Sequence, residues 1–108
     1  MGRYLANLPN LVIANGATTV TTPITSYLDD AKTLTIVAPS ALTGTITVQI
    51  SVDGGTTYVD AGSGGSDITI GAGNAVTITD PSFNGLRVTS SIAEGAERTF
   101  TVIKSFEV

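Results

Sequence analysis

The stretch Thr45-Ile46-Thr47-Val48-Gln49-Ile50-Ser51-Val52 alternates polar and aliphatic residues along its whole length. Successive side chains on a β-strand point to opposite faces, so this period places Ile46, Val48, Ile50 and Val52 on one side. Thr45, Thr47, Gln49 and Ser51 fall on the other. A strand with one apolar and one wet face belongs to an antiparallel sheet. Asp53-Gly54-Gly55 follows at once and reads as a tight turn needing positive φ. Thr56 to Ala61 then returns as the partner strand, carrying Tyr58 and Val59.

The same pattern extends in both directions. Lys32 to Ala38 turns Leu34, Ile36 and Ala38 inward, and Pro39 ends the strand because it cannot donate to a ladder. Asp67 to Ile70 is a short strand, with Ile68 and Ile70 on one side. Ala75 to Thr79 brings in Val76 and Ile78, and Leu86 to Ser90 brings in Leu86 and Val88. Arg98 to Val108 is the longest strand, with Phe100, Val102 and Phe106 on one face. Near the start, Leu11 to Ala14 and Thr18 to Thr22 flank Asn15-Gly16, a favoured hairpin dipeptide. Residues 26–31 and 91–97 are the only places for a helical turn. The first ten residues read as either an extended arm or a frayed terminus.

Seven to nine short strands, with turn signals about every ten residues, predict an all-β fold. The expected architecture is a single antiparallel β-sandwich over residues 11–108, jelly-roll or Ig-like. Alternation fixes faces but not strand order, so both topologies stand at this point.

Composition agrees. Of 108 residues, 18 are Thr, 10 Val and 10 Ile, and these β-branched types favour pleated sheet. Charged residues are 13% of the chain, about half of ordinary usage. The exterior is therefore covered by neutral hydroxyls and amides. Such groups are cheaper to desolvate against a protein partner than Lys or Glu. The net charge is −4, and the five basic residues are scattered. That pattern predicts neither nucleic-acid nor membrane-surface binding.

Cysteine and histidine are both missing. The absence removes disulfides, thiolate nucleophiles, the commonest metal ligand and the commonest general base. No motif of a nucleophile beside a base is present, so the expectation is a protein that is not an enzyme and uses no metal or cofactor. Asp29-Asp30 reads as a turn or helix cap, since adjacent residues on an extended chain converge poorly on one ion. Asp53-Gly54-Gly55 lacks calcium-loop spacing. Gly62 to Ser66 is glycine-rich, but Asp67 follows where a phosphate site needs Lys, so it reads as a loop. The four-residue run Leu11 to Ala14 is too short for a signal peptide or membrane span. A soluble protein made in a reducing cytoplasm is expected.

The candidate contact residues follow from exposure and chemistry. Tyr4, Tyr27 and Tyr58 offer rings for a sugar, with Tyr58 the best placed beside its hairpin. Arg87 lies between Leu86 and Val88, so it faces outward and suits a carboxylate across an interface. Arg3, Tyr4, Asp53, Tyr58, Arg87 and Arg98 are the predicted partner-binding residues. Residues 1–10 and the loops at 53–55, 62–67 and 91–97 are the predicted contact regions.

Two longer stretches carry a resemblance. AKTLTIVAPSALTGTITVQISVDGGTTYVDAG begins at Ala31, and ITIGAGNAVTITDPSFNGLRVTSS ends at Ser91. Together they resemble small β-sandwich structural proteins of tailed bacteriophages. In those, a strand of the type LTVQVS precedes DGGTTW, and LRVTSS comes later. Tyr58 stands near the place where many such proteins carry Trp. The resemblance implies a virion component assembled in the host bacterial cytoplasm: a capsid decoration protein, a neck component or a tail- or fibre-associated protein. Its implied partners are the major capsid protein or other virion proteins, with a homo-oligomer expected. A glycan is the alternative partner. No catalytic residue comes with the resemblance.

Overall fold

The computed structural model describes residues 3–63 and 66–107. Within these, every regular element is a strand: β1 (Arg3–Asn7), β2 (Leu11–Ile13), β3 (Thr33–Val37), β4 (Ile46–Ser51), β5 (Val59–Asp60), β6 (Gly62–Ser63), β7 (Ser66–Asp67), β8 (Thr69–Ile70), β9 (Ala75–Thr79), β10 (Gly85–Ser90) and β11 (Arg98–Glu107). The count exceeds seven to nine because residues 59–70 break into four two-residue pieces. No helical turn forms at 26–31 or 91–97.

One sheet runs β1-β11-β3-β9, with β2 also paired to β11. The other runs β10-β4-β5, with β8 sharing β4. Isolated bridges Thr19↔Thr89 and Ile24↔Leu86 lay residues 18–24 along β10. All strand pairs are antiparallel.

The pairings step inward in order: Arg3↔Glu107, Leu11↔Phe100, Ile24↔Leu86, Val37↔Ala75 and Ile50↔Val59. The chain is thus one long hairpin with its tip at residues 52–58. It is folded over so that successive rungs go to alternate sheets. The β2·β11 and β3·β9 rungs build one layer, and the 18–24·β10 and β4·β5 rungs build the other. This is the jelly-roll solution of the two that alternation allows. The expected arm, residues 3–7, continues the hairpin as an edge strand of the first sheet; Met1 and Gly2 lie outside the described residues.

The core lies between the layers. Leu11, Ile13, Leu34, Ile36, Phe100 and Val102 face it from the first sheet, and Ile46, Val48, Leu86 and Val88 from the second. All ten are fully buried. Phe100 is the largest, and truncating a buried Phe to Ala costs about 3–5 kcal/mol. Outward hydroxyls tie the strands of the first sheet together. The hydroxyls of Thr35 and Thr77 hydrogen-bond at 2.9 Å, and those of Thr33 and Ser105 at 2.7 Å.

Two local expectations fail for physical reasons. Alternation breaks at the end of β4, where Ser51 is buried and Val52 is 73% exposed. Ser51 turns inward because its Oγ donates to Asp53 Oδ1 at 2.7 Å and accepts from Gly55 N at 2.9 Å. The tight turn expected at 53–55 is accordingly a wider loop. The Asn15-Gly16 turn does form, with Gly16 at φ 83° and Ala17 N donating to Ala14 O. Its two arms then diverge, β2 to β11 and residues 18–24 to β10, apart from one rung in which Thr21 N donates to Val12 O. Burial in two layers outweighs the local hairpin.

Candidate functional site

The hairpin tip is built on Asp53. Its Oδ1 accepts from Ser51 Oγ, Thr57 N at 2.9 Å and Thr56 N at 3.2 Å. The hydrogen bond from Ser51, followed by those from Thr57 and Thr56, holds the Asp53 carboxyl below the usual carboxylate range. Asp53 therefore shapes the loop. Gly55, at φ 97°, and Gly85 leave room for the Tyr58 hydroxyl; a Cβ on Gly85 would stand 2.7 Å from the Ser51 Cβ. That hydroxyl is enclosed without a hydrogen-bond partner among the described residues, and burial pushes its pKa up.

The Tyr58 ring is covered as well. The Arg87 guanidinium lies 4.2 Å from its centroid. Arg87 Nε donates to Gln49 Oε1 at 2.7 Å, and Gln49 Nε2 donates to Asp60 Oδ1 at 2.8 Å. Asp53, Tyr58 and Arg87 are thus brought together, as one polar band across β5, β4 and β10. The band leaves the Tyr58 ring under a cation instead of open for a sugar to stack on.

Arg98 is elsewhere. Its Nε donates to Glu94 Oε1 at 2.8 Å, and Glu94 is 1% exposed. The same carboxylate accepts from Thr43 N, Gly44 N and Ser90 Oγ. Burial opposes the charge, but the hydrogen bonds from Ser90, Thr43, Arg98 and Gly44 outweigh it and lower the pKa to about 2. Glu94 staples the 43–44 loop to the start of β11. Arg98 is the outer, part-exposed partner of that staple.

The remaining candidates meet at the other end of β11. Of Arg3 only the backbone is described, paired to Glu107. Tyr4 is 50% exposed and stacks on Phe106, with ring centroids 5.8 Å apart. Beside them lies Lys104, which sequence reasoning passed over. It is buried, and its Nζ donates to Asp30 Oδ1 at 2.5 Å and to the Tyr27 carbonyl at 3.0 Å. The Phe106 ring centroid is 5.3 Å from that ammonium. Hydrogen bonding to Lys104 holds the Asp30 carboxyl below the usual range. The signal was present in the sequence: Lys104 has the same parity as Val102 and Phe106, and so falls on the inward face of its strand. A cleft of about 350 Å³ opens here, walled by Leu8, Pro9, Tyr27 and Phe106 with Lys104 at its side.

Among the described residues, no group of three or more Asp or Glu is arranged to hold a metal ion. No helix there is long and apolar enough to cross a membrane. The chain matches no protein-family model, and no curated protein matches it. Among solved structures, a chain from Bacillus endospore appendages, a family of disulfide-linked pili, matches over 99% of this chain and 88% of that one. The TM-score is 0.52 at 14% sequence identity, so the likeness is one of fold.

Proposed function

We propose that this chain is a non-enzymatic structural subunit of a bacteriophage particle, a capsid decoration protein that binds the assembled shell. The phage reading rests on the resemblance of residues 31–91. The structural observation that supports a packing role is β1. It lies at the edge of its sheet and holds Tyr4 half-exposed and Leu5 73% exposed. An edge strand presents unpaired backbone groups to a neighbouring chain. The surrounding threonine surface is inexpensive to desolvate. A decoration protein that binds assembled shell more tightly than free subunits stabilises the shell by mass action. A stable contact of this kind buries about 1,600 Å².

The test is to mix the purified protein with undecorated capsids. Bound copies and a raised shell melting temperature are expected; neither binding nor a shift would overturn the decoration role. A filament subunit is the second reading, favoured by the shared fold with a pilus protein. This chain has no cysteine, so its own links would not be disulfides. Electron microscopy of the protein alone separates the two, since the filament reading requires polymers without any capsid.

A further inference from the structure

Tyr27 is held in a way that adds little to the core. Its backbone sits at φ 66°, a left-handed conformation that non-glycine residues rarely adopt. Its side chain is 66% exposed, with the Lys104 ammonium 5.9 Å from the ring centroid, farther than the 4.2 Å of Arg87 over Tyr58. The conformation is fastened from beneath by the buried Lys104 ammonium, which donates to the Tyr27 carbonyl at 3.0 Å. Strain of this kind, fixed by a buried charge, collects at binding sites.

The ring stands among three adjoining clefts of about 300, 290 and 350 Å³, each of which it helps to line. Their polar lining is largely neutral: Asn7, Asn10, Thr22, Thr25, Ser26 and Asn84. Amides and hydroxyls both donate and accept. Three charged groups complete the corner: Asp29 lines one of these clefts and Lys104 another, and Asp30 is paired to Lys104. Asp30 is more than half exposed beside Lys104, and Lys104 has three N–H donors, two of them engaged.

We infer that the corner around Tyr27 is a binding site for a neutral oligosaccharide. A pyranose offers an apolar C–H face and a rim of hydroxyls that donate and accept. The exposed ring matches the face, and the surrounding amides, hydroxyls and Asp30 match the rim. Asp29 and Asp30 disfavour an anionic sugar by like-charge repulsion. The inference does not depend on the particle to which the chain belongs.

Titration of the nitrogen-15-labelled full chain with cellotriose and triacetylchitotriose tests it, with sialyllactose as the acidic counterpart. A neutral probe is expected to shift amides in residues 7–10, 22–29 and 84. Tyr27→Asn should weaken binding by about tenfold or more, a loss of about 1.4 kcal/mol. Asn tolerates the left-handed backbone, and an unchanged melting temperature confirms the fold. Ile92→Ala, at an exposed residue outside these clefts, should bind like the parent. The inference is overturned by silence with both neutral probes, by a preference for sialyllactose, or by affinity that survives Tyr27→Asn. A polyproline peptide that shifts these amides in place of the sugars overturns it as well.

Discussion

Strand β11 carries a cation near each end, and the two ends are finished differently. Arg98 meets Glu94, a carboxylate sealed from water that also collects donors from Thr43, Gly44 and Ser90. Lys104, roughly 20 Å further along at about 3.4 Å per residue, meets Asp30, whose side chain is 56% exposed. At the first end the buried charge is an anion with its hydrogen bonds made inside the protein. At the second the buried charge is the cation, and its partner faces solvent beside an open cleft. A buried charge that is fully satisfied holds the fold together. One whose partner still faces water leaves chemistry available to a ligand.

This contrast can be broken by substitution, and the largest effect belongs to Glu94. Glu94→Ala strips Arg98 and two backbone amides of their acceptor at once. Removing one partner of a buried pair costs about 3–5 kcal/mol, to be read from urea unfolding. If the cost proves as small as that of a surface pair, the staple reading fails.

Acid is the next probe. The folded Glu94 carboxyl titrates near 2, below its ordinary value of 4.5. Its stabilisation is therefore fully present above pH 4.5 and lost as pH falls towards 2. Asp30 and Asp53 are lowered too and act in the same direction. Unfolding measured across that window should show the loss, and Glu94→Gln should remove most of the slope.

At the open end the costs shrink. Lys104→Met keeps the apolar stem and lets Asp30 turn to water, so the expected loss is about 1 kcal/mol or less. A cost equal to that of Glu94→Ala would show that the two ends are alike. Tyr27→Asn is the mildest change. It trades an exposed ring for a residue suited to positive φ, and stability should stay within about 0.5 kcal/mol of the parent.

The sequence carried some of this better than the rest. The faces of β3, β4, β10 and the first half of β11 follow from alternation, since Leu34, Ile36, Val48, Leu86, Val88, Phe100 and Val102 are buried as their parity requires. Ser51 broke the pattern because its inward turn serves hydrogen bonds to a loop that periodicity does not describe. Topology was not legible at Asn15-Gly16: a dipeptide fixes a turn, while the sheet that each arm joins is decided by distant partners. Among the contact candidates, Asp53, Tyr58 and Arg87 form one cluster, but Arg98 belongs to a staple. Glu94 has two partners four residues away, Ser90 and Arg98, but the backbone amides of Thr43 and Gly44 that complete its staple lie about fifty residues away, beyond the reach of local pattern. Lys104 was legible by parity, and its meaning was not, because Tyr27 and Asp30 reach it from the far side of the chain.

The long hairpin has a mechanical consequence. Arg3 and Glu107 are opposite one another at its open end. A load applied between them acts across the β1·β11 ladder and opens it rung by rung, each rung yielding before the next is strained. A load entering through Arg3 and leaving through Arg98, at the start of β11, instead runs along the strands and must shear the rungs of that ladder together. The same domain is therefore weak when its ends are drawn apart and strong when pulled lengthwise, so its toughness depends on where its neighbours grip it.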